Sequence, residues 1–161
     1  MGMNTLSFYN HWGFHAPWPD AVKFEGGAHD IARLYEISQN VGLWCSARPG
    51  PYINAGLNGG GHALWSTTGE YGTVRDNSTK WTVAWKLYTD KFDEITARYQ
   101  ASENGTVVMY QIENEFARQW KDANKKFPNE VQYQYGKYLP YFAARRNTFP
   151  VSPRYLQLQW R

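Results

Sequence analysis

Two glutamates, Glu113 and Glu115, stand either side of Asn114 in Gln111-Ile112-Glu113-Asn114-Glu115, directly after the apolar run Val107-Val108-Met109-Tyr110. On an unbroken strand their Cα atoms would lie about 6.6 Å apart on one face. Paired carboxylates at such a spacing can serve as an acid and a nucleophile. The spacing by itself does not decide between that pair and glutamates that are simply solvated on an exposed loop. Position favours chemistry: an apolar strand that runs into carboxylates creates an edge where a carboxylic acid holds the raised pKa a proton donor needs.

Other groups with chemical potential stand in comparable places. Tyr9, Asn10, His11, Trp12 and His15 follow one short β-forming segment, and Arg48, Tyr52 and Asn54 follow another. His11 and His15 are four residues apart, but Gly13 and Pro17 argue against a helix that would align them, so no metal site is expected. Gly59-Gly60-Gly61 has no following Lys-Ser or Lys-Thr and is read as a rim loop, not a phosphate cradle. Cys45 lies in Leu43-Trp44-Cys45 and reads as a small core residue.

The elements that must position these groups follow from periodicity. Thr5 to Tyr9 is a short strand, followed by a long loop carrying Gly13, Pro17, Pro19 and Asp20. Ile31, Leu34, Tyr35 and Ile37 recur at helical spacing within about 28–41, and Gly42 suits the helix C-terminus. Leu43 to Ala47 is a second strand, ended by Arg48-Pro49-Gly50-Pro51. Ser78 or Thr79 caps a helix whose Trp81, Trp85, Tyr88, Phe92, Ile95 and Tyr99 form one apolar stripe. Thr106 to Gln111 is a third strand, and a last helix is expected over about 130–146. The alternation of strand and helix predicts a parallel sheet, with ligands outside the carboxyl ends of its strands.

Composition narrows the class. The 161 residues carry 17 Lys plus Arg against 14 Asp plus Glu, a formal net charge of +3, too mild for a nucleic-acid surface. Lys121, Lys125, Lys126, Arg145 and Arg146 read as solvated loop and helix surface. Apolar runs of only a few residues exclude a membrane span. Aromatic residues reach 17%, a usage that either fills a core or lines a site for flat, hydroxyl-rich ligands. Tyr9, Trp12, Tyr52 and Trp65 are the ones expected to shape a pocket. No signal peptide is read at the N-terminus, although Asn77-Ser78-Thr79 and Asn104-Gly105-Thr106 are glycosylation triplets.

Met3-Asn4-Thr5-Leu6-Ser7-Phe8-Tyr9, Arg48-Pro49-Gly50-Pro51-Tyr52-Ile53-Asn54-Ala55 and Gln111-Ile112-Glu113-Asn114-Glu115 together resemble successive blocks of glycoside hydrolase family 35, the retaining β-galactosidases, in its fungal-type form. The resemblance implies an α/β fold: a partial TIM (β/α)8 barrel over 1–146, with parallel strands like strands two to four. It implies hydrolysis of terminal non-reducing β-D-galactose residues with retention, without cofactor or metal, on a galactoside substrate, by an extracellular parent enzyme. Glu115 matches the general acid/base, Asn114 the partner of the sugar 2-hydroxyl, and Tyr9, Asn54 and the Ala55 backbone match positions that hold galactose hydroxyls. Glu113 then becomes a supporting residue.

Departures from the family pattern accompany the matches. Gly56 stands where the family usually has a sugar-binding Glu, and nothing after Arg146 resembles the segment that carries the nucleophile. The tail 147–161 is read as divergent, the product of truncation or a frame change. The alternative reading is a truncated, non-catalytic carbohydrate-binding remnant, because three parallel strands cannot close a barrel.

Overall fold

The computed structural model describes residues 2–75, 78–111 and 114. Glu113, Glu115, the helix expected over about 130–146 and the tail 147–161 lie outside the described residues. The elements run β1 (Thr5–Tyr9), α1 (Trp12–His15), α2 (Ile31–Asn40), β2 (Trp44–Arg48), α3 (Thr79–Ala97) and β3 (Val107–Tyr110). The strands lie in the order β1, β2, β3 and all pair in parallel. This is the expected α/β sheet. No helix among the described residues is long and apolar enough to cross a membrane.

Register sets the two faces. β1 and β2 pair from Thr5 opposite Trp44 to Tyr9 opposite Arg48, without irregularity. β3 meets β2 with Val107 opposite Cys45 and Met109 opposite Ser46, so Val108 is an extra residue in a bulge. Leu6, Phe8, Cys45, Ala47, Val107 and Tyr110 line the face covered by the helices. Cys45 is fully buried there, as expected of a core thiol. On the opposite face Thr5, Ser7, Tyr9, Trp44 and Met109 are exposed.

Local chemistry explains where the helices begin. The Asp30 carboxylate accepts the Arg33 N–H at 2.8 Å, capping α2 at Ile31. Gly26 and Gly27 hold positive φ of 73° and 58°, so the residues expected to open the helix at about Ala28 form a separate 3₁₀ turn. The buried side of α2 is Ile31, Tyr35 and Ser38; Ile37 is 47% exposed, because it lies off the face those residues share. The Ser78 hydroxyl caps α3 by accepting the Trp81 N–H at 3.2 Å. Trp81, Trp85, Tyr88 and Phe92 are buried as the stripe predicts, while α3 ends at Ala97 and Tyr99 falls beyond it. The Tyr35 hydroxyl meets Thr96 Oγ1 at 3.0 Å and joins the two helices. Full burial raises the Tyr35 pKa, so this phenol stays neutral.

The segment after β1 departs from the expected loop. One helical turn forms over Trp12–His15, with the His15 N–H donating to the His11 carbonyl at 3.2 Å. Pro17 lies past the end of this turn and does not break it. Gly13 suits a close approach: a Cβ there would sit 3.1 Å from the His62 carbonyl oxygen, a tight contact that the neighbouring backbone would have to relieve. The turn drives Trp12 into the core, where its ring meets Trp65 at 5.3 Å, Trp81 at 5.7 Å and Tyr88 at 6.0 Å between centroids. Trp12 is fully buried, so it supports the site from beneath and does not line a pocket.

Candidate active site

The C-terminal ends of all three strands converge on one amide. Tyr9 and Arg48 are register partners, which places their side chains side by side on the same face. The Arg48 guanidinium stacks over the Tyr9 ring, with Cζ 3.8 Å from the centroid. Arg48 Nη2 donates to Asn114 Oδ1 at 2.8 Å, Gln111 Nε2 donates at 3.0 Å, and the Tyr9 hydroxyl donates at 3.3 Å. Asn114 is only 6% exposed.

A second guanidinium holds the same residue from its backbone. Arg75 Nη2 donates to the Asn114 carbonyl at 3.2 Å, and its Cζ lies 3.8 Å from the centroid of the Tyr52 ring. Arg75 has a positive φ of 63°, a conformation that costs a residue with a Cβ of order 1 kcal/mol and so marks a position fixed by its surroundings. Beyond it the Tyr52 hydroxyl donates to Asn54 Oδ1 at 2.8 Å. Arg75 thus links the Asn114 cluster to the Tyr52 and Asn54 pair. The Ala55 N–H donates to the Gly60 carbonyl at 3.1 Å, so the amide hydrogen of Ala55 is engaged within the loop. That loop turns through Gly59, Gly60 and Gly61, all at positive φ, and the Gly60 Cα lies so close to Tyr52 that a Cβ would meet the ring at 2.9 Å.

Beneath these groups a buried hydroxyl ties the strands to α3. Asn10 Nδ2 donates to the Tyr88 hydroxyl at 2.8 Å, and the hydroxyl faces the carbonyls of Asn10 and Pro49, each at 3.0 Å. The segments leaving β1 and β2 are therefore fixed to one atom. His62 packs between Trp12, Trp81 and Tyr52 at 5.9, 5.2 and 5.3 Å. Burial, with a smaller push from Arg75, lowers its pKa to about 4, so it is neutral near pH 7. Burial likewise holds His15 at about 4, partly opposed by the Lys23 carbonyl that its ring meets at 3.0 Å.

Among the residues expected at the site, Tyr9, Arg48 and Asn114 are brought into contact, Asn54 joins Tyr52, and Glu115 lies outside the described residues. Trp65 packs on the core and donates from Nε1 to the Ala16 carbonyl at 2.8 Å. Arg75 escapes sequence reasoning altogether: it lies in a loop with no periodicity, and only its left-handed backbone brings it to Asn114. Gln111 and Asn10 belong to recognisable segments, but nothing in their spacing announces their partners.

A parallel α/β sheet that gathers aromatic, amide and guanidinium groups at the carboxyl ends of its strands is a ligand-binding scaffold of the α/β enzyme class. The model of the glycosyl hydrolases family 35 matches residues 1–149, and the chain belongs to that family. It is 44% identical over 147 residues to "Probable beta-galactosidase B" of Aspergillus niger, covering 91% of this chain and 14% of that protein. The protein of the same name from Pyrenophora tritici-repentis is 43% identical over 150 residues, covering 93% and 15%. That from Talaromyces marneffei is 44% identical over 153 residues, again covering 93% and 15%. The chain therefore spans about 15% of the length of the curated relatives it matches.

Proposed function

We propose that the chain supplies the acid/base part of a retaining β-galactosidase site acting on terminal non-reducing β-D-galactose residues, and that β1, β2 and β3 correspond to strands two to four of a (β/α)8 barrel. The convergence of Tyr9, Arg48 and Gln111 on Asn114, the residue before Glu115, carries this reading. It lies at the strand ends where barrel enzymes hold their chemistry. The name borne by the relatives supports a galactoside as substrate.

In this reading Glu115 protonates the glycosidic oxygen as the bond to the leaving group breaks, and then takes the proton of the water that releases the sugar. The nucleophile is a second carboxylate, which the family resemblance assigns to a later barrel strand. Asn114 donates to the sugar 2-hydroxyl, where a hydrogen bond gains strength as positive charge develops on the ring. Tyr9, Asn54 and the Ala55 carbonyl meet other hydroxyls, the few placed polar groups that a sugar pocket needs. The test is turnover of an aryl β-galactoside by the purified chain. Glu115→Gln is expected to lower it at least about 10²-fold, the usual weight of a general acid. Turnover that Glu115→Gln leaves unchanged refutes the acid/base role of Glu115.

A second reading, a non-catalytic carbohydrate-binding remnant, is favoured by one observation: the sheet face bearing Tyr9 and Trp44 is exposed, at 39% and 47% for these two residues. Galactoside binding at equilibrium without turnover is the result expected from it.

A further inference from the structure

We propose that Arg48 is a positioning residue that fixes which end of the Asn114 carboxamide the site turns toward its ligand. The inference deepens the reading above and rests on it for the identity of the ligand. A carboxamide presents two opposite chemistries, a carbonyl that accepts and an NH2 that donates, and the two ends have nearly the same shape. A sugar hydroxyl can bind either, so the orientation of Asn114 decides whether the sugar oxygen is met as an acceptor or as a donor.

Arg48 removes that ambiguity. A guanidinium donates and cannot accept, so the Asn114 atom 2.8 Å from Arg48 Nη2 is the carbonyl oxygen. Gln111 Nε2 and the Tyr9 hydroxyl approach the same oxygen at 3.0 and 3.3 Å. Flipping the amide would set its NH2 against the Arg48 N–H at hydrogen-bond distance, a donor against a donor at a site only 6% exposed. The guanidinium is itself held in place, stacked at 3.8 Å on Tyr9, and Tyr9 is held by its register with Arg48. The carbonyl thus points into the cluster and the Nδ2 hydrogens point away from it. The fixed orientation makes Asn114 a hydrogen-bond donor, suited to the oxygen of a sugar 2-hydroxyl.

The clamp and its use are separable by experiment on the full chain. The first arm uses 15N relaxation of the Asn114 side-chain amide, assigned by its disappearance in Asn114→Asp. An order parameter near 0.85 is expected for the unmodified chain, falling below about 0.6 in Arg48→Met, which loses the donors together with the guanidinium stacked on Tyr9. Arg48→Lys, with a donor but no planar fork, is expected in between, and it serves if the Met variant does not fold. An Asn114 amide equally ordered in all three, or disordered in the unmodified chain, overturns the proposal. The second arm titrates an aryl β-galactoside and its 2-deoxy analogue. The unmodified chain is expected to prefer the 2-hydroxy compound by roughly threefold to tenfold, the worth of one hydrogen bond. Arg48→Met is expected to lose that preference, its affinities for the two compounds falling within about twofold of each other, whereas Arg48→Lys keeps part of it. A merely structural role would weaken both ligands together and so overturn the proposal. Binding of neither compound by a chain whose Asn114 passes the first arm counts against the galactosidase reading and leaves the clamp standing.

Discussion

Replacing Tyr88 with Phe removes a single oxygen from the centre of the molecule, and the structure says what that oxygen holds. Tyr88 is fully buried and Asn10 is 2% exposed. Asn10 Nδ2 donates to the hydroxyl at 2.8 Å, and the hydroxyl proton serves the carbonyl of Asn10 or of Pro49, both at 3.0 Å. The ring itself remains in Tyr88→Phe, so its contacts with Trp12 and Phe24 at 6.0 and 5.7 Å survive. The loss is therefore polar: a buried amide donor loses its acceptor, at a cost of about 1–3 kcal/mol. For a chain of this size that is a fall in Tm of roughly 3–10 °C. Urea unfolding followed by tryptophan fluorescence gives the free energy directly. Asn10→Ala removes the same bond from its other end, so the double variant is expected to cost less than the two singles together, by about 1 kcal/mol. A Tyr88→Phe loss below about 0.5 kcal/mol, or strict additivity with Asn10→Ala, would refute the role assigned to this hydroxyl.

Two further outcomes follow from the same geometry. A Cβ on Gly56 meets nothing within 4 Å, so Gly56→Glu is expected to fold normally and, under the proposed galactoside reading, to tighten galactoside binding by roughly tenfold or more, by supplying the carboxylate that the resemblance implies there, measured by calorimetric titration. The folded-state pKa values of His15 and His62, about 4 for each, lie below the ordinary 6.5 because both rings are buried. The unfolded chain thus takes up protons first, so stability is full above about pH 6.5 and declines as the pH falls toward 4. Tm measured from pH 7 to 4.5 is expected to show this decline, with a shallower slope in His62→Phe.

Much of this architecture is written locally. Arg48-Pro49-Gly50-Pro51 ends β2 by its chemistry, Ser78 announces the start of α3, and the Trp81 stripe names the buried side of that helix. The alternation of elements gives the parallel sheet, and with it the edge where Tyr9, Arg48 and Asn114 meet. Three features are tertiary and leave no such mark. Trp12 is polar-flanked and follows a strand end, which suggests a pocket wall, yet a single turn permitted by Gly13 carries it into the core. Ile37 fits helical spacing, but Ser38, whose hydroxyl bonds the Leu34 carbonyl at 2.8 Å, takes the buried position. Arg75 reaches Asn114 through a backbone conformation that residue type does not foretell.

The bulge at Val108 makes β3 unequally sensitive to changes of length. Val107 and Tyr110 both face the helices, although an odd separation of three would normally put them on opposite sides. Losing Val108 would restore plain alternation between them and leave Tyr110 opposite Ala47, so Gln111 and Asn114 would keep their stations. Losing a residue after Tyr110 would move Asn114 one step along the chain and away from Arg48. Within one short strand, then, evolution is free to trim on the near side of the pairing and is held to the letter on the far side.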